Sequence, residues 1–477
     1  MPRKLGFVSL GCPKNLVDSE VMMGILSRNG YELTPRPEEA DVLVVNTCSF
    51  IEPAQQESVN TILEMAEYKR TGRAQRLVVA GCLVERFGAQ IREQIPAVDA
   101  LVGTGDVERI LEATEGGLPH LPPTPPEFLY HDLTPRVLTT PREYAYIKIN
   151  EGCDHPCTFC IIPELRGKFR SRRFESVVRE AEQLARQGVR EVILIGQDTT
   201  AYGEDLGIRD GLPLLLERLA QIEDLAWVRF LYCYPNRVTT RLLETIAAHP
   251  RLVKYLDVPL QHASQRVLAR MKRGGSAGAL LKLVARARKA IPGVSLRTSF
   301  IVGFPGETEA DFRELCDFVR EAEFDWLGVF AYSDDETAES FALAKKVDAE
   351  TIASRRSRLM EIQLKISRRR LARRVGQSFQ ALLEGPSKES DFVWQARLEG
   401  MAPEIDGRLY ITELDVPEAS GDIATLAGRM ARVEITEAQD YDLVGRVTAM
   451  LDEPRAAARP AEPALAGAGA SPLHILS

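Results

Sequence analysis

Short apolar runs alternate with longer amphipathic stretches over the first hundred residues. The runs LGFVSL, ADVLVVN and RLVVAG are rich in β-branched residues, and stretches of helical length separate them. This alternation predicts βα units and therefore a parallel sheet. Each run ends in a cysteine, namely Cys12, Cys48 and Cys82. The carboxyl ends of parallel strands lie at one edge of a sheet, so distance in sequence does not prevent these thiols from sharing one site.

A proline-rich segment interrupts this pattern, which then restarts. Seven prolines between residues 116 and 141 forbid regular structure and predict an extended connector. From Tyr144 onward come six strand-like runs: YAYIKI, REVILIG, WVRFLYC, KYLDVPL, VSLRTSFIVG and WLGVFAY. Helical stretches fill most of the gaps between them, such as residues 176–187, 240–247, 277–290 and 310–322. Six βα units predict a partly open barrel, two units short of the closed eight-unit form, with a mouth for a large substrate.

The last third of the chain changes character twice. Residues 349–374 contain neither proline nor glycine and predict one basic helix, after which short alternating segments with glycine and proline turns predict a small all-β barrel or sandwich. The tail from about Ala456 is biased to alanine, proline and glycine, which predicts disorder. We therefore expect an α/β domain at 1–117, a linker at 118–141, a barrel domain at 142–374, a β domain at 375–449 and a tail at 450–477.

Size and composition fit a multidomain cytoplasmic protein. A length of 477 residues predicts two to four domains, and 45% hydrophobic with 27% charged residues is ordinary for globular chains. The N-terminal apolar stretch is too short for a secretory signal, and no run reaches the roughly 20 apolar residues that cross a bilayer. Eight cysteines are too few for a disulfide framework, so their spacing favours metal binding or catalysis.

Charge is distributed unevenly. The net charge is -8, yet residues 355–374 carry nine arginines and lysines against one acid. Residues 375–447 carry 14 acids against 6 basic residues, which is a net charge of -8 in that segment. An acidic β domain opposes a nucleic-acid partner and favours a basic protein partner. The basic helix could contact RNA, or it could simply present a solvated face.

The most informative motif is the cysteine group Cys153, Cys157 and Cys160, directly after the run YAYIKI. Three thiolates on one tight loop can each bind one iron of a cubane cluster, which leaves the fourth iron open for a reacting molecule. The alternative is a zinc knuckle completed by His155 or by a distant ligand. No second close Cys/His pair follows, and this favours the iron-sulfur interpretation.

This motif at the start of a six-unit βα barrel resembles the radical S-adenosylmethionine superfamily. The resemblance implies that the open iron chelates the amino and carboxylate groups of S-adenosylmethionine. It also implies that Phe159 lies beside the adenine and that Gly196 and Gln197 contact the methionyl amino group. Arg297 and Gly303 lie on a later strand that lines the cofactor in relatives. Glycines and polar residues at strand ends are common in α/β domains, so each position also has a purely structural interpretation.

Together with the N-terminal segments SLGCPKNLVDSE, NTCSF and AGC, the whole chain resembles the methylthiotransferase family. That resemblance implies that Cys12, Cys48 and Cys82 hold a second 4Fe-4S cluster, whereas taken alone they could be buried packing residues. It also implies a C-terminal TRAM-like domain. Cys233 and Cys316 lie in apolar runs and are interpreted as packing residues. No side-chain general acid or base is indicated, so no catalytic residue is assigned beyond the cluster ligands.

Several segments resemble the branch of this family that modifies an aspartate in small-subunit ribosomal protein twelve. They are GCPKNLVDSE, IKINEGCDHPCTFCIIPELRGKFRSR and GQDTTAYGEDLG. The branch implies S-adenosylmethionine as both methyl donor and radical source. It also implies a low-potential electron donor such as flavodoxin or ferredoxin, and a substrate that is free or within the ribosome. The turn Ser333–Thr337 departs from the pattern of that branch.

Two rival functions remain open from the sequence. A tRNA adenosine methylthiotransferase would use the same parts on a nucleic acid, which the acidic β domain opposes. A non-catalytic zinc and RNA-binding protein would use the cysteines structurally and would be colourless.

Overall fold

The computed structural model describes residues 2–117, 126–387, 390–417 and 426–453. The predicted disordered tail and residues 118–125 of the predicted linker lie outside the described residues. None of the helices in those ranges is long and apolar enough to span a membrane.

The N-terminal part is a parallel sheet flanked by helices, as the alternating pattern predicts. Its strands are β1 (Arg3–Ser9), β2 (Tyr31–Leu33), β3 (Val42–Thr47), β4 (Arg76–Gly81) and β5 (Ala100–Val102). Its helices are α1 (Pro13–Arg28), α2 (Glu52–Thr71), α3 (Cys82–Gln94) and α4 (Ile110–Glu115). The strand order is β2-β1-β3-β4-β5, so the three predicted strands are central neighbours. The edge strands β2 and β5 have three residues each, too few to show as apolar runs.

The central part is the open barrel that the six strand-like runs predict. Its strands are β6 (Tyr144–Lys148), β7 (Asn150–Glu151), β8 (Arg170–Ser171), β9 (Glu191–Ile195), β10 (Trp227–Phe230), β11 (Tyr255–Asp257), β12 (Ser295–Val302) and β13 (Trp326–Ala331). The main strands form two parallel sheets of order β10-β9-β6 and β11-β12-β13, while β7 and β8 pair separately. An isolated parallel bridge between Val228 and Leu252 links β10 to the segment that leads into β11.

Helices cover the outside of this barrel. They are α5 (Ile162–Arg166), α6 (Phe174–Arg186), α7 (Gly211–Leu219), α8 (Thr240–Ala248), α9 (Gln265–Arg270), α10 (Ala277–Ala290), α11 (Glu309–Ala322) and α12 (Ala349–Ala372). Helix α6 shows why they pack as they do, because Val177, Ala181 and Leu184 recur at helical spacing and are all buried. Burying one such aliphatic side chain contributes about 1.5–3 kcal/mol. Cys233 and Cys316 lie in the same core at 2% and 4% exposure, which confirms their interpretation as packing residues.

The described part of the predicted connector, residues 126–141, contains turns and extended chain but neither helix nor strand. It is nevertheless clamped between the two α/β parts. The Arg136 guanidinium donates to the Glu20 carboxylate of α1 at 2.6 and 2.9 Å and to Glu180 of α6 at 2.7 Å. The side chains of Arg136, Glu20 and Glu180 are at most 8% exposed. The segment therefore fastens the N-terminal sheet to the barrel.

The C-terminal part is a closed five-stranded barrel. Its strands are β14 (Ser378–Ser387), β15 (Ser390–Leu398), β16 (Leu409–Leu414), β17 (Met430–Ala438) and β18 (Leu443–Met450), in the order β14-β15-β16-β18-β17. The segment between β15 and β16 reaches the central barrel. Tyr144 donates to Glu404 at 2.9 Å, and Tyr255 donates to Asp406 at 2.7 Å. The acidic domain is therefore docked through its own carboxylates.

Helix α12 is the basic helix that the sequence predicts, but most of its charge is neutralised within the chain. Arginines of the helix and of the residues just after it form ion pairs with acids of neighbouring segments; they are Arg355, Arg358, Arg368, Arg369, Arg370 and Arg374. Arg370 and Arg374, for example, both face Asp325, the residue before β13. The helix thus joins the central barrel to the C-terminal barrel through intramolecular ion pairs.

Candidate active site between two cysteine groups

The first cysteine group, here called the N-terminal triad, consists of Cys12, Cys48 and Cys82. Cys12 caps the N-terminus of α1 after β1, Cys48 follows β3, and Cys82 is the first residue of α3 after β4. Because β1, β3 and β4 are adjacent and parallel, all three cysteines lie at the same edge of the sheet. Cys48 and Cys82 are buried and Cys12 is partly exposed.

Glycines allow the chain to approach closely at this edge. Gly11 has a φ of +91°, and a Cβ there would lie 2.7 Å from the Cys48 Cβ and 3.0 Å from its Sγ. Gly81 has a φ of +93°, and a Cβ there would lie 2.2 Å from the Asn46 Oδ1. Only glycine adopts such a conformation freely in so little space. The residues before Cys12 and Cys82 therefore determine how close the thiols come.

The thiols of the N-terminal triad influence one another. Burial, together with the neighbouring Cys82 and Cys12, raises the pKa of Cys48 to about 12. Burial also raises the pKa of Cys82, although Arg166 acts against this by favouring the thiolate. Without a metal these two thiols are protonated at neutral pH. A metal ion or cluster would have to displace their protons, as thiolate ligation requires.

The second group, here called the barrel triad, consists of Cys153, Cys157 and Cys160 and lies in the loop after β7. The loop starts at Gly152, whose φ is +75° and where a Cβ would lie 2.1 Å from the Lys168 carbonyl oxygen. The Cys153 amide donates to the Gly167 carbonyl at 3.1 Å, and the Cys160 amide donates to Cys157 at 3.1 Å. This backbone bonding holds the three partly exposed thiols on one tight loop.

Burial raises the pKa of two thiols of the barrel triad, to about 11 for Cys153 and to about 12 for Cys160. Among the described residues, no set of three His, Cys, Asp or Glu side chains stands in metal-ligand geometry. Within these described residues, the thiols of each triad do not form a closed ligand shell.

A stacked aromatic pair lies beside the barrel triad. The His155 ring stacks on Tyr234 with 3.7 Å between ring centroids, and its Nε2 lies 2.7 Å from the Asp198 Oδ2. Arg273 covers the Tyr234 ring at 4.4 Å and donates to the Cys157 Sγ at 3.7 Å. His155 thus has a carboxylate partner and a stacking partner, which explains it without zinc ligation. Sequence reasoning missed Tyr234 and Arg273, because they lie about 80 and 115 residues from the motif.

Phe159 and Gly303 both lie close to an apolar cluster at this end of the barrel. Phe159 packs against the buried residues Val267, Met271 and Phe304. Gly303 directly precedes Phe304, and its amide donates to the Glu307 carboxylate at 2.6 Å. A Cβ on Gly303 would lie 2.2 Å from the Ile352 Cγ1 of α12, so packing alone requires glycine there.

Gly196 and Gln197 follow β9 and pack against the strand before the barrel triad. A Cβ on Gly196 would lie 2.0 Å from the Asn150 Oδ1, and the Gln197 amide donates to that oxygen at 3.2 Å. The Gln197 Nε2 donates to Glu151 at 2.6 Å, whereas its Oε1 is buried without a hydrogen-bond partner. A buried acceptor without a partner costs about 1–3 kcal/mol, so this oxygen is suited to receive a donor from a ligand.

Arg297 differs from the other predicted cofactor contacts. Its Nη1 donates to Asp257 at 2.9 Å, and its Nε lies 3.4 Å from Asp406 of the C-terminal domain. The side chain is thus held by two carboxylates in the contact between the barrel and the C-terminal domain. A structural role accounts for these contacts.

A buried charge network joins the two triads. Arg166 donates to the Cys82 Sγ at 3.4 Å and forms an ion pair with Asp18 of α1. Lys148 forms ion pairs with the same Asp18 and, at 2.5 Å, with Glu151, two residues before Cys153. All four charged side chains are at most 5% exposed. Burial alone would raise the pKa of Glu151, but Lys148 and Arg166 lower it to about 2.

The turn Ser333–Thr337, which departs from the family pattern, also lies at this boundary. Asp335 forms a buried ion pair with Arg86 of α3, and Arg86 in turn donates to the Ser49 carbonyl at 3.4 Å. Ala338, just after the turn, packs with Cys82 and Ile161. The turn therefore connects the end of β13 to residues beside both triads.

Comparisons with known proteins agree with these three parts. Residues 4–103 match the uncharacterized protein family UPF0004, residues 147–319 match the radical SAM superfamily, and residues 375–448 match the TRAM domain. Among solved structures, the chain is similar to the radical S-adenosylmethionine methyltransferase TsrM from Kitasatospora setae, with a TM-score of 0.50. That match has 16% identity and covers 69% of this chain and 72% of the other. It indicates the fold alone.

Two relatives match almost the whole chain. The ribosomal protein uS12 methylthiotransferase RimO of Solibacter usitatus is 61% identical over 448 residues, which is 94% of this chain and 95% of that protein. The protein of the same name from Koribacter versatilis is 55% identical over an alignment of 491 positions, gaps included, that covers 94% of this chain and 96% of that protein. The chain belongs to the RimO family of radical SAM methylthiotransferases.

Proposed function

We propose that this protein replaces a β-carbon hydrogen of an aspartate in ribosomal protein uS12 with a methylthio group. The observation that carries the proposal is the 61% identity, over nearly the full length, to a protein named for this activity. The β C–H bond is too unactivated for a side-chain base at neutral pH, so the reaction needs a radical. No general acid or base is assigned.

The donor set at the boundary between the N-terminal sheet and the barrel fits two iron-sulfur clusters. Thiolates are the usual ligands of such clusters, and three thiols in each triad leave one iron of a 4Fe-4S cluster open. Guanidinium groups face a sulfur in each triad, Arg166 at Cys82 and Arg273 at Cys157. Such donors stabilise the negative charge of thiolate ligands. Cys12, Cys48 and Cys82 would hold one cluster, and Cys153, Cys157 and Cys160 would hold the other.

When bound, the barrel cluster supplies one electron that cleaves S-adenosylmethionine and yields a 5'-deoxyadenosyl radical. The residues of this chain orient the reactants. Phe159 offers an apolar face to the adenine, and Gly196, which packs directly against Asn150, brings the end of β9 to the methionyl group. The Oε1 of Gln197 accepts a hydrogen bond from the methionyl amino group. Gly303 is assigned to the same pocket, while Arg297 acts indirectly by holding the barrel against the C-terminal domain.

Charge favours a protein substrate over tRNA. The C-terminal domain has a net charge of -8 between residues 375 and 447, and most arginines of α12 are already paired with acids. Tight tRNA binding needs a basic face that displaces counterions. An acidic surface instead attracts a basic ribosomal protein. The reaction takes place in the cytoplasm on free or ribosome-bound uS12, with an electron donor such as flavodoxin or ferredoxin.

A deletion strain provides the test in cells. Mass spectrometry of its uS12 should show the loss of one methylthio group, which the intact gene restores and a variant with Cys153→Ala does not. Methylthio groups on tRNA adenosines should be unaffected. Loss from tRNA with unchanged uS12 would contradict the proposal and favour the tRNA alternative.

Purified, anaerobically reconstituted protein provides the second test. It should be brown and should lose about half of its iron when the N-terminal triad is replaced by alanines. A colourless protein would favour the zinc-binding alternative, and iron for a single cluster would contradict the two-cluster arrangement.

A further inference from the structure

Lys14 is an unusual cation at the boundary between the two triads. It lies in the first turn of α1, two residues after Cys12, and its side chain reaches residues that follow the barrel strands β9 and β10. Its Nζ lies 3.5 Å from the centroid of the Tyr232 ring and 3.5 Å from the Gly196 carbonyl oxygen. A single N···O contact at 3.5 Å is a weak hydrogen bond. The ammonium is therefore held in position but poorly satisfied.

Three of the other cations at this boundary are paired with acids, whereas Arg273 donates to the Cys157 Sγ and to the Pro259 carbonyl oxygen. Lys148 and Arg166 each have two carboxylate partners, and Arg86 has Asp335. Within the described ranges, Lys14 has no salt bridge to a carboxylate. An ammonium carries three donor protons, so those not directed at Gly196 remain available to an incoming anion.

The aromatic partner of Lys14 is rigidly placed. Tyr232 has a φ of +65°, a region that residues other than glycine seldom adopt. Its amide donates to the Asp257 Oδ2 at 2.9 Å, and its carbonyl oxygen accepts from the Thr199 amide at 3.2 Å. A residue other than glycine keeps such a backbone conformation only where its surroundings determine it. The ring therefore forms a fixed platform for the ammonium.

The surroundings of the ammonium coincide with the proposed reaction centre. Cys12 belongs to the N-terminal triad, and Gly196 belongs to the pocket assigned to S-adenosylmethionine. The proposed substrate side chain carries its carboxylate directly on the carbon that reacts. An anion at that position needs a positively charged partner, because an unpaired buried carboxylate is strongly disfavoured.

We infer that Lys14 binds the side-chain carboxylate of the substrate aspartate and so selects aspartate at the reaction centre. This inference rests on the proposed function and deepens it. A charge-assisted hydrogen bond of this kind is worth about 1.5–3 kcal/mol, which corresponds to roughly a tenfold to hundredfold change in affinity. Asparagine at the target position would lose the charge attraction. Its amide N–H groups would also face the N–H donors of the Lys14 ammonium.

Binding measurements on the anaerobic holoenzyme test this inference. The probes are fluorescently labelled uS12 and uS12 with asparagine at the target position, followed by anisotropy. The parent enzyme should prefer the aspartate form by about tenfold or more. Lys14→Met should lower affinity for the aspartate form to that of the asparagine form, and Lys14→Arg should retain part of the preference. The matched control Lys289→Met, on an exposed face of α10, should bind like the parent.

Each other outcome counts against the inference. A parent that binds both forms equally, or a Lys14→Met enzyme that still discriminates as the parent does, would overturn it. Equal weakening of both forms would show that Lys14 has a structural role only. If Lys14→Met fails to retain iron, Lys14→Gln replaces it in the binding measurement. Failure of the proposed function can be distinguished from failure of this inference. A parent enzyme that leaves the mass of uS12 unchanged contradicts the proposed function itself.

Discussion

The buried charge network between the triads offers a prediction whose size follows from the structure. Replacing Lys148 by methionine removes one of two cations that face Asp18 and Glu151. The side chains of these three residues are 1%, 5% and 4% exposed, so water cannot replace the lost partner. Removing one partner of a buried ion pair typically costs about 3–5 kcal/mol.

An exposed ion pair in the N-terminal sheet supplies the matched control. The Lys4 ammonium lies 2.7 Å from the Glu39 carboxylate, with side chains that are 38% and 31% exposed. Lys4→Met should therefore cost about 0–1 kcal/mol. Adding Asp18→Asn to Lys148→Met removes one acid as well as one base, and it should recover much of the loss because the remaining charges balance.

Hydrogen exchange of the α1 amides measures the effect locally, since Asp18 lies on α1 and Lys148 on the barrel. A loss of 3 kcal/mol corresponds to a decrease of about a hundredfold in protection. The α1 amides should lose protection in Lys148→Met and keep it in Lys4→Met. Equal protection in the two variants would refute the view that this network holds the triads in register.

Three further predictions concern single positions. Gly152→Ala should lose about half of the bound iron, because the new Cβ would meet the Lys168 carbonyl, whereas Gly188→Ala, at φ +98° with no atom within 4 Å, should keep it. Arg166→Met should shift the reduction potential of the N-terminal cluster to more negative values, because a positive donor to Cys82 favours the reduced cluster. Redox-titrated EPR spectra measure this potential. The control Arg179→Met, at an exposed site, should leave the potential unchanged. Burial lowers the pKa of His262 to about 3, so between about pH 6.5 and 3 the unfolded chain binds a proton that the folded chain does not. The free energy of unfolding, measured with urea, should therefore fall by about 2 kcal/mol from pH 7 to pH 5. His262→Asn should reduce that pH dependence.

Much of the fold follows from local pattern. Predicted helices at 277–290 and 310–322 agree with α10 and α11 to within one residue, because amphipathic periodicity is strong there. The small all-β domain was also predictable, since alternation and turn residues recur at short spacing, but the sequence left a barrel and a sandwich open and the structure shows the closed barrel. The division at residues 117, 141, 374 and 449 stays a prediction.

The site was predictable only where its residues lie close together in one short segment. The spacing of Cys153, Cys157 and Cys160 indicates a cluster motif, and the strand ends suggest that the N-terminal cysteines share an edge. The contacts of Arg166 with Cys82 and of Lys14 with Tyr232 join residues 84 and 218 positions apart, so no local pattern reveals them. One signal was available, because a lysine inside the buried run YAYIKI requires an acidic partner.

The ion pairs of Arg297 and of helix α12 show the opposite limitation. Sequence alone marks these residues as basic and therefore as candidates for binding a ligand or RNA. Their partners, such as Asp406 and Asp440, lie in the C-terminal domain and become neighbours only when the two barrels dock. Tertiary pairing thus gives these side chains structural contacts that the sequence does not show.

The central claim is that the chain transfers a methylthio group to the β-carbon of an aspartate through a radical. The most direct measurement uses uS12 with deuterium on the β-carbons of its aspartates, incubated anaerobically with the reduced holoenzyme and S-adenosylmethionine. Mass spectrometry should find one methylthio group on uS12 and deuterium in the released 5'-deoxyadenosine. Unmodified uS12, or methylthiolated uS12 with no deuterium in the 5'-deoxyadenosine, would contradict the account.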